Sequence, residues 1–458
     1  MTVTLRPYQQ ALIDGGREAY RQGANSVLFC LPTGGGKTVT ASTIVHGAAQ
    51  RRNTVWWLCH RRELVAQASR TFYDLNIPHG TVQAGHVSNP GALVQVGSIQ
   101  TVANRLDQLP EPGLIIFDEA HHIGAGSWDA LFHRFPKARK LGLTATPWRL
   151  DGQGLGRWFD VMVEGPTVAE LIEAGSLSPY RYFAPSKPDL SDVGITGGDY
   201  QRGALSQAMA RPQIVGDAIE HYRTLCLGKR AVAFAAGVEN SMQIAAQFNA
   251  AGIPAEHVDG SMSADLRDAA VERFKSGQTL ILSNADLFGE GFDVPAIEAA
   301  ILLRPTKSLS LHLQQCGRAL RPQPGKTAII LDHAGNIDSH GLPDDVREWD
   351  LADRERRKKG AAAEVTTRQC KNCFYVYRPA PKCPGCGHVP EVVAREIAVV
   401  DGTLAEVRKS EVRSITRETS PREISTLEGL RTLARLRGYK RGWASHVWKE
   451  RLAKGRAA

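Results

Sequence analysis

Short, unbroken apolar runs alternate with stretches of helical periodicity along the first three quarters of the chain. The runs fall at residues 26–30, 54–59, 93–96, 114–117 and 141–144; a second unit begins at 231–234, with further strand candidates at 255–258, 279–283, 299–303 and 327–331. A strand that is apolar at every position is buried on both faces, as in a parallel sheet covered by helices; a half-exposed strand would alternate. Residues 4–21 and 39–50 read as two of the covering helices. Pro and Gly clusters at 179–188 and 194–198 read as loops and a crossover between two such α/β units. The pattern therefore predicts an α/β protein with two tandem parallel-sheet domains, at 1–165 and 166–345.

The runs end in polar or charged residues, which is where ligands sit in open parallel sheets. The run at 26–30 leads into Leu31-Pro32-Thr33-Gly34-Gly35-Gly36-Lys37-Thr38 and then a helical pattern. A glycine-rich turn opening a helix presents consecutive backbone N–H groups to a polyphosphate. Lys37 can reach the β and γ phosphates, and Thr38 can join the shell of a Mg²⁺ ion. Leu31 stands where the strict form of this loop has its first Gly. The run at 114–117 ends in Asp118-Glu119-Ala120-His121. There Asp118 can hold Mg²⁺ through water, and Glu119 can orient and deprotonate an attacking water. Upstream, Leu5-Arg6-Pro7-Tyr8-Gln9 can read an adenine ring by stacking and by the Gln9 amide, although a helix N-terminus with Pro in its first turn explains the same residues. The second half lacks a phosphate loop but carries Gln314, Arg318 and Arg321 at the end of a helical pattern. Arginines three apart share a helix face, so both can point at one γ-phosphate.

Taken in order, the phosphate loop, the DEAH sequence at 118–121 and Thr144-Ala145-Thr146-Pro147 resemble motifs I, II and III of superfamily-two helicases. Gly142 to Pro147, followed by Arg149, Asp151, Gly152 and Gly154, is similar to the XPB-like and restriction-helicase (type III restriction subunit-like) branch. The resemblance spans roughly residues 4–345 and implies two RecA-like domains that bind ATP at their seam. It implies that Arg6 and Gln9 read the adenine, and that Thr33, Gly34, Gly35, Gly36, Lys37, Thr38, His121 and Gln314 contact the nucleotide. Lys37, Asp118, Glu119, Arg318 and Arg321 are then the catalytic set, with Thr38 and Asp118 on the Mg²⁺. His60 and Arg61 match motif Ia, and Ser98, Gln100 and Thr101 match motif Ib, both facing the nucleic-acid backbone. Gly291 and Asp293 match motif V, which couples the nucleotide to the nucleic-acid track, and residues 233–241 match motif IV. The family often has Arg where Gln315 stands. Asp332, His333, Asn336 and His340 look like the family's trailing segment rather than a metal nuclease.

Residues 346–369 read as a charged, solvated linker with a basic run from Arg354 to Lys359. Cys370-x₂-Cys373 and Cys383-x₂-Cys386, nine residues apart, read as a four-thiolate structural zinc ribbon at 370–388. Tyr375, Tyr377, Arg378 and Lys382 between them can hold a nucleic-acid strand or form the ribbon's own core. After a second linker, 389–420, the tail 421–458 carries a net charge of +7. Leu427, Leu430, Leu433 and Ala434 form an apolar stripe there, Gly438 reads as a helix stop, and Trp443, Val447 and Trp448 suggest a second helix. This basic helical module is expected to add phosphate contacts.

The net charge of +9 and pI near 9.2 fit a polyanionic partner. Residues 1–10 hold no apolar core of a secretory leader, and no apolar run is long enough for a membrane span. Four scattered cysteines and one CxxC pair of pairs suit a reducing cytoplasm. The expected activity is that of an ATP-dependent helicase or translocase on nucleic acid, DNA favoured over RNA, using ATP, Mg²⁺ and Zn²⁺. The alternatives are a double-strand translocase working beside a nuclease, methyltransferase or replication/repair partner, and a nucleotide-gated binding module. The sequence carries no nuclease signature of its own.

Overall fold

All ten strand candidates become strands, and they sort into two sheets. The computed structural model describes residues 4–353, 367–390 and 417–453, apart from 85, 125, 150–151, 185–187, 189, 191, 197–198, 210–211, 286, 288–296, 425 and 441. The first sheet is built from β1 (Ser26–Cys30), β2 (Val55–Cys59), β3 (Gly80–Gln83), β4 (His86–Ser88), β5 (Val94–Ser98), β6 (Leu114–Asp118), β7 (Arg139–Thr144) and β8 (Val161–Glu164). Their spatial order is β4-β3-β5-β2-β6-β7-β1-β8, parallel throughout except at β3–β4. β1, β7 and β6 thus lie side by side, and their carboxyl ends bring residues 31–38, Thr144 and Asp118 to one edge.

Period-two alternation divides this sheet's core. Trp56 and Trp57 are adjacent and both fully buried, yet they point to opposite faces. Trp57 packs with Val27, Phe29, Val45 and Phe72, whereas Trp56 packs with Leu28, Leu58, Phe117 and Phe159. β3 and β8 lie outside those ten candidates, and both are partly exposed.

The second sheet takes β9 (Tyr180–Phe183), β12 (Ala231–Ala235), β13 (Ala255–Val258), β14 (Ile281–Asn284), β15 (Ala299–Leu303) and β16 (Ala328–Asp332) in the parallel order β13-β14-β12-β15-β16-β9. Between β9 and β12 a two-stranded hairpin, β10 (Ile195–Thr196) and β11 (Asp199–Tyr200), stands outside both sheets. The sheet does not end at β9. The cysteine-rich segment supplies β17 (Arg368–Gln369) and β18 (Tyr375–Tyr377), and β18 pairs antiparallel with β9, Tyr375 against Phe183 and Val376 against Tyr182. The ribbon is therefore two further strands of the second domain, covering what would otherwise be an exposed edge.

The two sheet domains touch at several places among the described residues. Glu63 and Arg267 form an ion pair at 2.9 Å. The helix Leu309–Ala319 packs on the turn at Thr33, where a Cβ added at Gly317 would lie 2.7 Å from the Thr33 Cβ. Finally, the chain leaving the second domain returns to the first. Gly156 N–H donates to Leu351 O at 2.8 Å, Gly154 N–H to Asp353 Oδ1 at 3.0 Å, and the Trp148 and Trp349 rings lie 4.9 Å apart. This corrects the expectation of a solvated linker for its described part, 346–353. The charges there flank Trp349 and Leu351, and it is those two side chains that dock. The basic run 354–359 lies outside the described residues.

The segment 417–453 forms a unit of its own. Helix Leu427–Arg437 ends at Gly438, which takes the left-handed φ of +70° that closes a helix, and helix Trp443–Ala453 packs against it through Leu430, Leu433 and Ala444. Two of the cations expected to meet phosphate are instead committed internally: Arg437 donates to Arg417 O and Arg451 to Ile424 O, each at 2.6 Å. Among the described residues no helix is long and apolar enough to cross a membrane.

A Cβ added at Gly154 would lie 2.2 Å from the carbonyl oxygens of Leu351 and Ala352. Gly154→Ala should therefore dislodge the returning segment and cost about 1–3 kcal/mol, read as a thermal midpoint several degrees lower. An unchanged midpoint would mean the contact carries no stability.

Candidate nucleotide site and nucleic-acid face

The phosphate loop owes its shape to two residues without side chains. Gly34 and Gly36 have φ of +87° and +89°, a region that costs any other residue. Gly36 immediately precedes helix Lys37–Gln50, so Lys37 and Thr38 sit in a first turn whose backbone N–H groups lack helical partners. Lys37 Nζ bends back to Leu31 O at 3.2 Å. Tyr8 Oη and Gln9 Nε2 donate to Gly35 O at 2.9 and 3.4 Å, and Gln9 Oε1 accepts from Arg6 N–H at 2.9 Å. Arg6 Nη1 reaches Tyr8 Oη at 3.2 Å and Ser176 O at 3.5 Å. The segment expected to read adenine is thus also a brace for the loop.

Across the edge, β6 delivers Asp118, buried, and Glu119. Burial pushes the Asp118 pKa up, the Glu119 carboxylate pushes it further, and Lys37 draws it back. Glu119 takes a φ of +52°, strained for a residue with a Cβ. That twist turns the strand into the short 3₁₀ turn Ala120–His122 and aims the carboxylate inward. Glu119 Oε2 and Thr33 Oγ1 are buried and have no hydrogen-bond partner. Buried polar atoms of a native fold are normally satisfied, so these two suit a site that receives a polar ligand. Thr38 and Asp118 offer the oxygen donors that Mg²⁺ prefers.

His121 ties this carboxylate to the next strand. Its Nδ1 lies 3.5 Å from Glu119 Oε2 and 3.1 Å from Thr144 Oγ1. The Thr144 hydroxyl donates to Thr146 O at 2.7 Å, so it accepts from His121, and His121 Nδ1 carries the proton. The rings of His121 and His122 are 4.3 Å apart, and those of His122 and His60 4.1 Å. His60 in turn accepts from Arg61 Nε at 3.1 Å. A continuous set of contacts therefore runs from the motif Ia residues at the end of β2 to the carboxylate at the end of β6. Farther along the edge, Ser98 and Thr101 hydroxyls bond each other at 2.7 Å, while Gln100 is exposed.

The second domain brings Gln314 and Arg318, both buried, on the helix whose Gly317 rests on Thr33. Arg321 departs from the expectation of a shared helix face. The helix ends at Ala319, because Pro322 disfavours helical geometry in the residue before it, and Arg321 O accepts from Ser178 Oγ at 3.1 Å. Gly291 and Asp293 lie outside the described residues. Between the domains a cavity of about 220 Å³ is lined by Arg61, His121, His122 and Arg149 from the first and Arg304, Lys307 and Gln314 from the second. His122, Arg304 and Lys307 were not among the residues expected from the sequence. Their only signal was position, at or just beyond the carboxyl end of a strand.

In the ribbon the four Sγ atoms lie within 4.8 Å of one another, with Cys370–Cys386 at 3.6 Å and Cys373–Cys383 at 3.7 Å. A tetrahedron with zinc–sulfur bonds of about 2.3 Å has edges of about 3.8 Å, so the four thiols fit that ion. The aromatic residues turn inward: Tyr377 is buried against Cys370 and Cys383, and the Tyr375 ring lies 5.4 Å from Phe183. Of the two readings of these residues, the structure supports the core. Arg378 pairs with Asp344 and Asp345 at 3.4 and 3.3 Å.

Two family descriptions match the chain: type III restriction enzyme, res subunit, over residues 2–149, and helicase conserved C-terminal domain over residues 217–323. A 51.5 kDa protein of Lactococcus phage (isolate 7-9) is 38% identical over 359 residues, covering 78% of this chain and 76% of the phage protein. The chain belongs to the superfamily-two helicases, in their restriction-helicase branch. This helicase is also 32% identical over 365 residues to the Saccharomyces cerevisiae protein named "Putative ATP-dependent helicase IRC3", covering 74% of this chain and 51% of that one. It thus spans about half the length of the yeast relative. Among solved structures it is similar to a fragment of an HsdR-type subunit of a type I restriction enzyme from Vibrio vulnificus YJ016, with a TM-score of 0.58 at 20% identity over 74% of this chain and 66% of that one. The shared fold is the tandem RecA-like pair, and the helicase is an ATP-dependent enzyme acting on nucleic acid.

Thr144→Val would leave His121 Nδ1–H and the Thr146 N–H without their acceptor. Turnover of ATP should fall roughly fivefold or more, the equivalent of one lost hydrogen bond, with nucleotide binding retained. Unchanged turnover would show that the DEAH histidine works independently of motif III.

Proposed function

We propose that this helicase advances along DNA by closing and opening the seam between its RecA-like domains as ATP is bound and hydrolysed. The observation that supports the reading is the seating of the Gly317 helix on the Thr33 turn, with Arg318, the next residue in the chain, buried. In this reading Arg6 and Gln9 hold the adenine, and the loop amides with Lys37 hold the phosphates. Thr38 and Asp118 hold Mg²⁺, which when bound neutralises phosphate charge. Glu119 orients the water and takes its proton, and His121 keeps that carboxylate in place through Thr144. Arg318, with Arg321 from the turn beyond the helix, stabilises charge that develops on the γ-phosphate. Gln314 senses the nucleotide from the same helix. His60, Arg61, Ser98, Gln100 and Thr101 contact the DNA backbone.

The likeness to restriction-enzyme subunits supports DNA over RNA and favours movement along a duplex without strand separation as the second reading. A nuclease, methyltransferase or repair partner would then act beside this chain, among whose described residues the four cysteines are the one group of three or more His, Cys, Asp or Glu side chains placed to share an ion. The ribbon holds Zn²⁺ structurally, since four thiolates leave no open position, and a reducing, cytoplasm-like compartment suits it.

Lys37→Ala and Glu119→Gln should each reduce DNA-stimulated ATP hydrolysis by about 10²-fold or more while the thermal midpoint holds. Turnover measured with single-stranded, duplex and forked DNA and with RNA identifies the substrate; stimulation by RNA alone would sink the DNA assignment. Elemental analysis should find about one zinc per chain, lost in Cys383→Ser, and a zinc-free wild type would remove the ribbon's metal.

A further inference from the structure

The chain passes between the two sheet domains twice. At the first passage Gly165 N–H donates to Cys30 O of the first domain at 2.9 Å. Thr167 already caps helix Val168–Glu173, whose Leu171 is buried in the core of the second domain. Pro166 alone lies between these anchors. The second passage is nearly as short. Leu342 is buried in the same core. Arg347 Nη1 donates to Pro343 O and Asp345 O at 3.2 and 2.9 Å, and its Nη2 to His340 O and Leu342 O at 3.0 and 2.8 Å. The end of the second domain is thus wrapped around one guanidinium. Two residues on, Trp349 lies against Trp148 of the first domain, and Leu351 and Asp353 accept from Gly156 and Gly154. Leu351 also packs on the cluster that holds Trp158 and Phe159.

Both passages border one cavity of about 60 Å³. Pro166 and Thr167 line it from the first passage and Arg347 and Trp349 from the second, beside Thr33 and Gly317 where the domains touch. A single link at Pro166 would be a pivot, about which the second domain could swing in every direction. A second link beside it leaves one easy motion, rotation about the line joining the two, and a few residues of this kind are enough to absorb domain closure. The second link is conditional. The first domain holds it through a ring contact, two hydrogen bonds and one leucine. While these are made, the two residues from Arg347 to Trp349 can span at most about 7 Å. Once they part, the segment follows the second domain and the pivot is left alone.

We propose that Trp349 and Leu351 are positioning residues for ATP turnover: docked on the first domain, they turn a one-point pivot into a hinge and keep the second domain aligned for closure on the nucleotide. The inference rests on the reading that ATP is held at the seam by groups of both domains. Trp349 and Leu351 touch neither the nucleotide nor a strand; they act through the seating of the Gly317 helix on Thr33. The apparent affinity for ATP then scales with the fraction of molecules in which the two domains are aligned. At saturating ATP the nucleotide itself holds the seam, so the rate of the chemical step does not depend on the docked segment.

The test uses the full chain, with steady-state ATP hydrolysis at saturating DNA and small-angle X-ray scattering. Trp349→Ala and Leu351→Asp should each raise the KM for ATP roughly threefold or more, as when the aligned fraction falls to about a third, with kcat within about twofold of wild type. Trp349→Phe keeps a ring against Trp148 and should bring the KM back. Without nucleotide both disruptive variants should have a larger radius of gyration than wild type, and a non-hydrolysable ATP analogue with Mg²⁺ should remove the difference. KM values and radii of gyration equal to those of wild type in both variants would overturn the inference and leave 346–353 as packing. A lower kcat at unaltered KM would overturn it too, since the segment would then act through Trp148 on residues 144–147 rather than on alignment. A wild type that hydrolyses no ATP would end the functional reading, and the scattering comparison would then decide the hinge by itself.

Discussion

No side chain larger than hydrogen fits between the helix Leu309–Ala319 and the turn at Thr33, and the working edge of the molecule is assembled around that closeness. The contact at Gly317 joins two sheets that each end in polar residues but that separately complete nothing. The first contributes a phosphate loop, a buried aspartate and a strained glutamate; the second contributes buried Gln314 and Arg318 from the touching helix. Parallel strands make the convergence unavoidable. Every strand in such a sheet ends on the same edge, so the loop after β1, Thr144 at the end of β7 and Asp118 at the end of β6 come together although the loop and Thr144 are more than a hundred residues apart in the chain.

Around that edge the polar groups are linked rather than merely close. Gly35 O is held by Tyr8 and Gln9, Glu119 is held by His121, and His121 is held by Thr144. The His121–His122–His60 ring contacts carry the sequence on to Arg61, on the wall of the basic cavity. A displacement at either end has a packed route to the other, which is what a motor needs if the state of its nucleotide is to alter its hold on a strand. The segment 344–353 adds a further tie, since it leaves one domain and packs on the other.

The cysteine ribbon has a different place from that of a detached module. By pairing β18 with β9 it extends the second sheet, and it is bound again through Arg378 to Asp344 and Asp345. An ion held by four thiols would therefore fix the margin of a motor domain. It would also bind the ribbon to whatever motion that domain makes.

Much of this was legible in the sequence, and for a definite reason. Strands buried on both faces are rich in apolar residues, so most of the strands announced themselves; glycines in the turn after β1 and carboxylates at a strand end marked the phosphate edge; cysteine spacing marked the ribbon. These are local requirements, met by residues adjacent in the chain. The remainder depended on pairs distant in sequence. Tyr375 against Phe183, Leu351 beneath Gly156 and His122 beside His60 each join segments with no shared periodicity, and β9 interrupts its aromatic residues with Arg181, so it carries no unbroken apolar signature. Arg321 shows the same division: its spacing from Arg318 suggested one helix face, and only the fold, with Pro322 closing the helix and Ser178 holding the Arg321 carbonyl, set it on the turn beyond.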